Sequence, residues 1–357
     1  MKKIVLDQLH RELKARMVPF AGFEMPVSYK GIIEEHTAVR KAVGLFDVSH
    51  MGILGVSGDG ALSFVDSLFS KPASKIPVGK GAYALLCNEN GGTLDDLIFY
   101  RTGENEVVVA LNASNKESDL EWMRKHANDN VHFESRFETH ALFAVQGARA
   151  PEFLNAIGVD LNFDQLYNTK ICRVAGIKAQ YFVSGYTGER GCEISVDNAG
   201  AEKLFRFLLE SGAPFGIQPT GLGCRDTLRT EMGYSLYGHE LNTAINPVEA
   251  GLSWAVDFQS NFIGRDALLA YKENPKRKLI AFQNTTSRQA PRSEMKIFDA
   301  TGKVCGYVTS GTFSPSLGYV IGMGIVEINT ALPITVDMRG NKVPFEITKR
   351  PFYRHKV

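Results

Sequence analysis

ILGVSGDGALSFVDSLFS (53–70), YALLCN (83–88), LDDLIFYR (94–101) and EVVVALN (106–112) are the segments on which the fold turns. ILGVSG is a short β-forming run. Asp59 stands where a helix N-cap belongs, and Ala61, Phe64, Val65 and Leu68 fall on one helical face behind it. The three later segments are short, rich in β-formers and separated by Gly, Asn or Glu turns. A second helix is predicted over roughly Lys116 to Asn128, with Leu120, Trp122 and Met123 available to pack. Strand, helix, several strands, helix is a compact α+β layer, ferredoxin-like in character.

The stretch near 140–270 repeats that mixture. FAVQG ends a strand and PEFLNAIG follows as a helix. AGIKAQYFVSGYTGERGCEISV reads as two strands joined through a polar, glycine-rich corner. AEKLFRFLLESG is an amphipathic helix, with Gly212 as its expected stop. From Lys276 on, KRKLIAFQ, EMKIFD, KVCGYVTSG, VIGMGIV, PITVDM and KVPFEIT are strands spaced by turn sequences, the pattern of a small antiparallel barrel. The first fifty residues mix helix, loop and short strands.

A chain of 357 residues exceeds one ordinary core and calls for two or three domains. Hydrophobic residues make up 44% and charged residues 22%, with a net charge of +1, so no charge excess favours nucleic acid or an anionic membrane. The five cysteines, Cys87, Cys172, Cys192, Cys224 and Cys305, are widely spaced without a CxxC pair. They read as buried free thiols in a reducing cytoplasm, rather than a disulfide framework or a zinc site. MKKIVLDQLHRELKARM lacks the apolar stretch of a secretory signal, and no apolar run approaches the ~18 residues of a membrane span. These features make a cytoplasmic location the expectation.

There is no GxxxxGK[ST] loop, no GxGxxG after a strand, no HExxH and no GxSxG. Among the histidines, His50, between Ser49 and Met51, reads as structural or pocket-lining rather than as a metal ligand. Three constellations remain. In GGTLDDLIFYR (91–101), Asp95 and Asp96 begin a strand and must point to opposite faces, so one at most can face a site. The bland alternative is a turn and a solvated strand end. In SGYTGERGCEI (184–194), the glycines permit close backbone approach, Tyr186 offers a ring and a hydroxyl, and Glu189 and Glu193 would share one face of an extended strand. A tight inter-strand turn explains the pattern equally well. In GLGCRDTLRTE (221–231), Arg225, Asp226, Arg229 and Glu231 have the spacing of an ion-pair network on a helix, which leaves at most one arginine for an anionic ligand. GLSWAV (251–256) reads as core.

These constellations belong to a longer series. PFAGFEMPVSY (19–29), GLFDVSHMG (44–52), GGTLDDLI (91–98), QGARA (146–150), GYTGERGCEI (185–194), GLGCRDTLRTE, LYGHEL (236–241), NPVEAGLSW (246–254), DFQSNFIGRDAL (257–268) and TSGTFSPSLG (309–318) together resemble the glycine cleavage T-protein family nearly end to end. The resemblance implies a three-domain cloverleaf: a folate-binding α+β domain from 1–52 and 138–272, a ferredoxin-like domain from 53–137, and a C-terminal antiparallel β-barrel from 273–357. It also implies a tetrahydrofolate-dependent aminomethyltransferase. The partner would be the lipoylated H-protein, whose aminomethyl group supplies the one-carbon unit. The products would be ammonia, dihydrolipoyl H-protein and 5,10-methylenetetrahydrofolate. Tetrahydrofolate would act as co-substrate, with no metal, no nucleic acid and no membrane partner.

Residue by residue, the resemblance makes Asp96 the catalytic carboxylate. It would orient the folate amine, accept a proton and stabilise the iminium-like cation formed as ammonia leaves. With an ordinary pKa of about 3.9, an aspartate acts by position and charge as much as by basicity. Glu193 maps to the pterin-binding glutamate, because a carboxylate accepts the adjacent ring N–H and exocyclic amine as a bidentate pair. Arg225 maps to the arginine near folate. Tyr83, Tyr186, Met51 and Asn112 are expected to line the channel, and Tyr353 or Arg354 in RPFYRHKV (350–357) to reach the folate tail. Two positions depart from the family pattern: Ala148 stands where relatives often have Pro, and Cys192 stands where a larger apolar residue is common. Neither removes a group the chemistry needs.

Two other readings compete. One is a different tetrahydrofolate-dependent methyl- or one-carbon transferase, such as a demethylase. Asp96 and the complete GLFDVSHMG and DDLI blocks favour aminomethyl transfer over it. The other is a non-catalytic folate-binding protein, whose cysteine-containing KGCYxGQE-type segment is replaced here by GYTGERGCEI.

Overall fold

The computed structural model describes residues 1–354; His355, Lys356 and Val357, which end the tail quoted above, lie outside the described residues. The chain forms two compact units, residues 1–84 with 97–226, and residues 85–96 with 227 onward.

In the first unit a six-stranded sheet runs in the order Thr169–Val174, Ile177–Phe182, Gly191–Asp197, His140–Gln146, Val43–Asp47, Ile217–Thr220. Four of these strands, with the helices Ala150–Ala156 and Asn198–Gly212 between them, follow the ferredoxin-like βαββαβ order. Val43–Asp47 is inserted antiparallel to His140–Gln146 and parallel to Ile217–Thr220. The registers Ala144↔Glu193 and Phe143↔Asp47 fix where the polar residues emerge. Behind the sheet, Leu45, Phe143, Phe153, Tyr181, Ile194 and Phe205 form the core that burial holds together. A five-stranded sheet, Lys80–Cys87, Thr93–Gly103, Glu106–Leu111, Gly52–Ser57, His132–Ser135, repeats the same order with one added edge strand. A small sheet of Lys2–Lys3, Phe23–Ser28 and Arg16–Phe20 completes the N-terminal part.

In the second unit six strands between Arg277 and Thr348 close into an antiparallel barrel, so no strand edge is left unpaired. Gly322 and Gly324, alternate residues of VIGMGIV, leave room for Phe282 and Ile297 to fill its interior, because a Cβ at either would strike those side chains. The α+β class and the closing barrel expected from the sequence are both present.

Local details differ from the sequence reading. Gly60, not Asp59, caps the helix Ala61–Leu68, with no side-chain cap. Backbone partners take over there: Gly60 N donates to Asn130 O and Ala61 N to Gly58 O. The helix predicted to stop at Gly212 includes it. Gly212 is required instead by the close approach of Ile217, and the left-handed residue that turns the chain is Gly216. In GLSWAV, Leu252, Ala255 and Val256 are core, but Trp254 is 60% exposed.

Candidate functional site

Glu193 sits within the strand Gly191–Asp197, its carboxylate buried, and Ser184 Oγ donates to Oε2 at 2.5 Å. Oε1 carries no protein hydrogen bond among the described residues. Tyr100, buried from the neighbouring sheet of the same unit, feels that charge, and its hydroxyl is pushed well above the ordinary value by burial first and by Glu193 second. Glu189 does not share the strand face with Glu193. It precedes the strand in a loop and forms a buried ion pair with Arg40 at 2.7 Å.

That loop carries Tyr186. Arg40 Nη1 also donates to Thr187 O at 2.8 Å, and Gln146 receives Thr187 Oγ1 at 3.0 Å while donating to Ser184 O at 2.9 Å. The loop is therefore held by a cation and an amide from two different elements. Gly185 must be glycine because a Cβ would occupy the space of the Gln146 side chain.

Arg225, on the helix Leu222–Met232, lies with its guanidinium 4.7 Å from the centre of the Tyr186 ring, and its Nη2 is 3.9 Å from Met51 Sδ. Burial draws it below its ordinary value, opposed by the charge of Glu193. Met51, Tyr186, Arg225 and Glu193 are thus gathered in one unit. The rest of the expected helical network turns elsewhere: Arg229 pairs with Glu240, and Glu231 accepts from Ser314 and Ser316.

Met51 ends a turn held from both sides. His10 Nε2 and Asp47 Oδ2 are 2.8 Å apart, Tyr29 OH is 2.9 Å from His10 Nδ1, and Asp47 Oδ1 accepts from Ser49 N. His50 is 3% exposed, and burial, with Arg225 nearby, lowers its pKa to about 3. The imidazole is therefore neutral at physiological pH. As pH falls below 6.5 the unfolded chain binds a proton that folded His50 refuses, so stability falls by about 1.4 kcal/mol per pH unit from this group. NMR should show the His50 ring signals unmoved down to about pH 5; a midpoint near the ordinary value would contradict this packing.

Tyr83 lies half-buried in the strand Lys80–Cys87, and Asn112 half-buried just past Glu106–Leu111. In the second unit Asp95 is fully buried while Asp96 is partly open, the alternation expected of a strand. The turn before them is locked. Thr93 Oγ1 donates to Ile245 O at 2.9 Å, Thr93 N to Asn242 O at 3.1 Å, and Gly91 packs on Ala267 and Leu268. Tyr353 N donates to Glu231 O at 3.1 Å, and Arg354 is exposed. Sequence reasoning missed Ser184, the hydrogen-bond donor to Glu193, and Tyr100, the buried ring whose hydroxyl feels its charge; the hydroxyl within SGYTGE was the one available signal. Cys192 is a buried core residue and its thiol is pushed well up by burial. Among the described residues no cluster of His, Cys, Asp or Glu is arranged to hold a metal ion, and no helix is long and apolar enough to cross a membrane.

A buried carboxylate near a guanidinium stacked on a tyrosine suits a flat, nitrogen-rich ring with adjacent N–H donors. Two ferredoxin-ordered sheets and a C-terminal antiparallel barrel define the class, an α+β protein that ends in a β-barrel. The family model described as the GCVT N-terminal domain matches residues 6–260, and the glycine cleavage T-protein C-terminal barrel domain matches residues 277–354. The chain is 41% identical over 360 residues to an aminomethyltransferase of Flavobacterium psychrophilum, covering 99% of this chain and 100% of the relative. It is 42% identical over 358 residues to one of Chloroherpeton thalassium, covering 99% of each. The crystal structure of glycine cleavage system aminomethyltransferase T from Bartonella henselae superposes with a TM-score of 0.91 at 31% identity, covering 99% of this chain and 98% of that one. The chain belongs to the glycine cleavage T-protein family.

Proposed function

We infer that the chain is a glycine cleavage aminomethyltransferase that moves the one-carbon unit from aminomethyl-lipoyl H-protein to tetrahydrofolate, releasing ammonia and 5,10-methylenetetrahydrofolate. The observation that carries the reading is relatedness over the whole length, in both directions, to proteins named aminomethyltransferase. The Glu193 cluster supports it: Oε1 is available for the pterin N–H groups, while Ser184 keeps the carboxylate oriented through Oε2.

In this reading Glu193 binds the pterin edge, and Arg225, with Tyr186 and Met51 against it, borders the ring. Tyr83 and Asn112 line the channel, and Tyr353 and Arg354 meet the folate tail. Tetrahydrofolate supplies the accepting nitrogens. Asp96 orients the amine, takes up a proton and faces the cationic charge that develops as ammonia departs. The reading includes a cytoplasmic setting, supported by five free thiols. The test is to incubate the chain with aminomethylated H-protein and tetrahydrofolate and to quantify methylenetetrahydrofolate and ammonia. Both should form only when all components are present. Tight tetrahydrofolate binding without turnover would overturn the reading.

A further inference from the structure

Lys116 is a buried cation for which the chemistry above has no use. It is the first residue of the helix Lys116–His126 and only 2% exposed. A lysine is costly there for three reasons. Burial strips its hydration and draws its pKa down. A helix N-terminus is itself partially positive. No carboxylate of the described residues pairs with it; Glu117 and Glu138 act only as more distant charges. An apolar side chain of similar length would fill the space without these costs.

What the lysine adds is a single directed hydrogen bond. Lys116 Nζ donates to the His50 carbonyl at 2.9 Å, and the ammonium lies 4.8 Å and 5.3 Å from the ring centres of Phe23 and Phe137. The His50 carbonyl is part of the turn whose next residue is Met51. Met51 N closes that turn on Val48 O at 3.0 Å, and Met51 Sδ meets Arg225. Gly52 lets the chain pass close to Lys116, since a Cβ there would come within 3.0 Å of Lys116 Cβ and 2.8 Å of the Phe137 ring. The backbone N–H of Lys116 donates to Asn112 O at 2.9 Å, tying the same residue to a second candidate lining position.

We propose that Lys116 is a positioning residue for tetrahydrofolate binding, its buried ammonium fixing the His50 carbonyl and so setting Met51 against Arg225. The proposal rests on reading the Glu193–Arg225 cluster as the folate site. The experiment measures tetrahydrofolate Kd, kcat and Tm in the full chain. Lys116→Met should raise Kd about tenfold, with kcat at saturation within about twofold of wild type. Lys116→Arg, which keeps a cationic donor, should regain part of that affinity. Phe137→Leu, which loosens the same pocket without removing the donor, should lower Tm and leave Kd unchanged. If Lys116→Met does not fold, Lys116→Gln, which is shorter than lysine and uncharged, is expected to weaken binding in its place. A lowered Tm with wild-type Kd in the Lys116 variants would overturn the proposal. Arg225→Gln separates the two levels: if it weakens binding while the Lys116 variants do not, only the Lys116 role fails; if it too binds normally, the folate reading of the cluster fails.

Discussion

Asp96→Asn is expected to lower methylenetetrahydrofolate formation by about 10²- to 10⁴-fold, the range a positioned acid–base group commands, while tetrahydrofolate affinity stays within a few-fold of wild type. The substitution keeps shape and removes charge and proton affinity, so it separates chemistry from binding. The turn that carries Asp96 is rigid: Thr93 is bonded to Asn242 and Ile245, and Gly92 packs against the Thr243 backbone, so the amide variant should hold its place. Asp95 is not an equivalent target, because it is fully buried on the opposite face of the strand. Single-turnover measurements with saturating aminomethylated H-protein decide the matter. Unchanged turnover in Asp96→Asn would remove Asp96 from the reaction while leaving the enzyme assignment standing.

The parts legible in the sequence were those written by local pattern. β-Forming runs between turn residues marked most strands of the two ferredoxin-like sheets, though not His132–Ser135, Thr169–Val174 or Ile217–Thr220, and six β-rich segments marked the barrel. What escaped depended on remote partners. Asp59 had the right chemistry for a cap, but Asn130 answers the helix N-terminus instead. Gly212 looked like a stop because the next strand residue that presses on it, Ile217, cannot be placed from sequence alone. Glu189 and Glu193 were paired by strand periodicity, and the ladder begins only at Gly191. For the site, Glu193 and Arg225 were candidates from local pattern alone, with bland readings of comparable weight, and it was the family blocks that gave them roles and added Met51. Their supports, Ser184, Tyr100, His10 with Asp47, and Lys116, are joined by contacts between distant stretches of chain. Lys116 in particular looks in the sequence like an ordinary helix-start lysine, and only its burial reveals the exception.

Breaking the Arg40–Glu189 pair should have the largest effect on stability. Both side chains are nearly inaccessible, 6% and 3% exposed, and the contact is 2.7 Å. Arg40→Met leaves the Glu189 carboxylate in a dry site and removes the donor to Thr187 O. Losing one member of a buried pair costs about 3–5 kcal/mol, because the other charge loses its close counter-charge while staying desolvated. Equilibrium urea unfolding should show that loss. The double variant Arg40→Met with Glu189→Leu should recover much of it, since an apolar pair avoids the desolvation cost altogether. The recovered protein is also informative about function. The loop from Ser184 to Gly191 would keep its Gln146 anchor but lose Arg40, so Tyr186 would be less firmly held against Arg225. Restored stability with weakened tetrahydrofolate binding would show that the ion pair serves the site beyond holding the fold. Restored stability with wild-type binding would confine its role to folding and assign the order of the loop to Gln146.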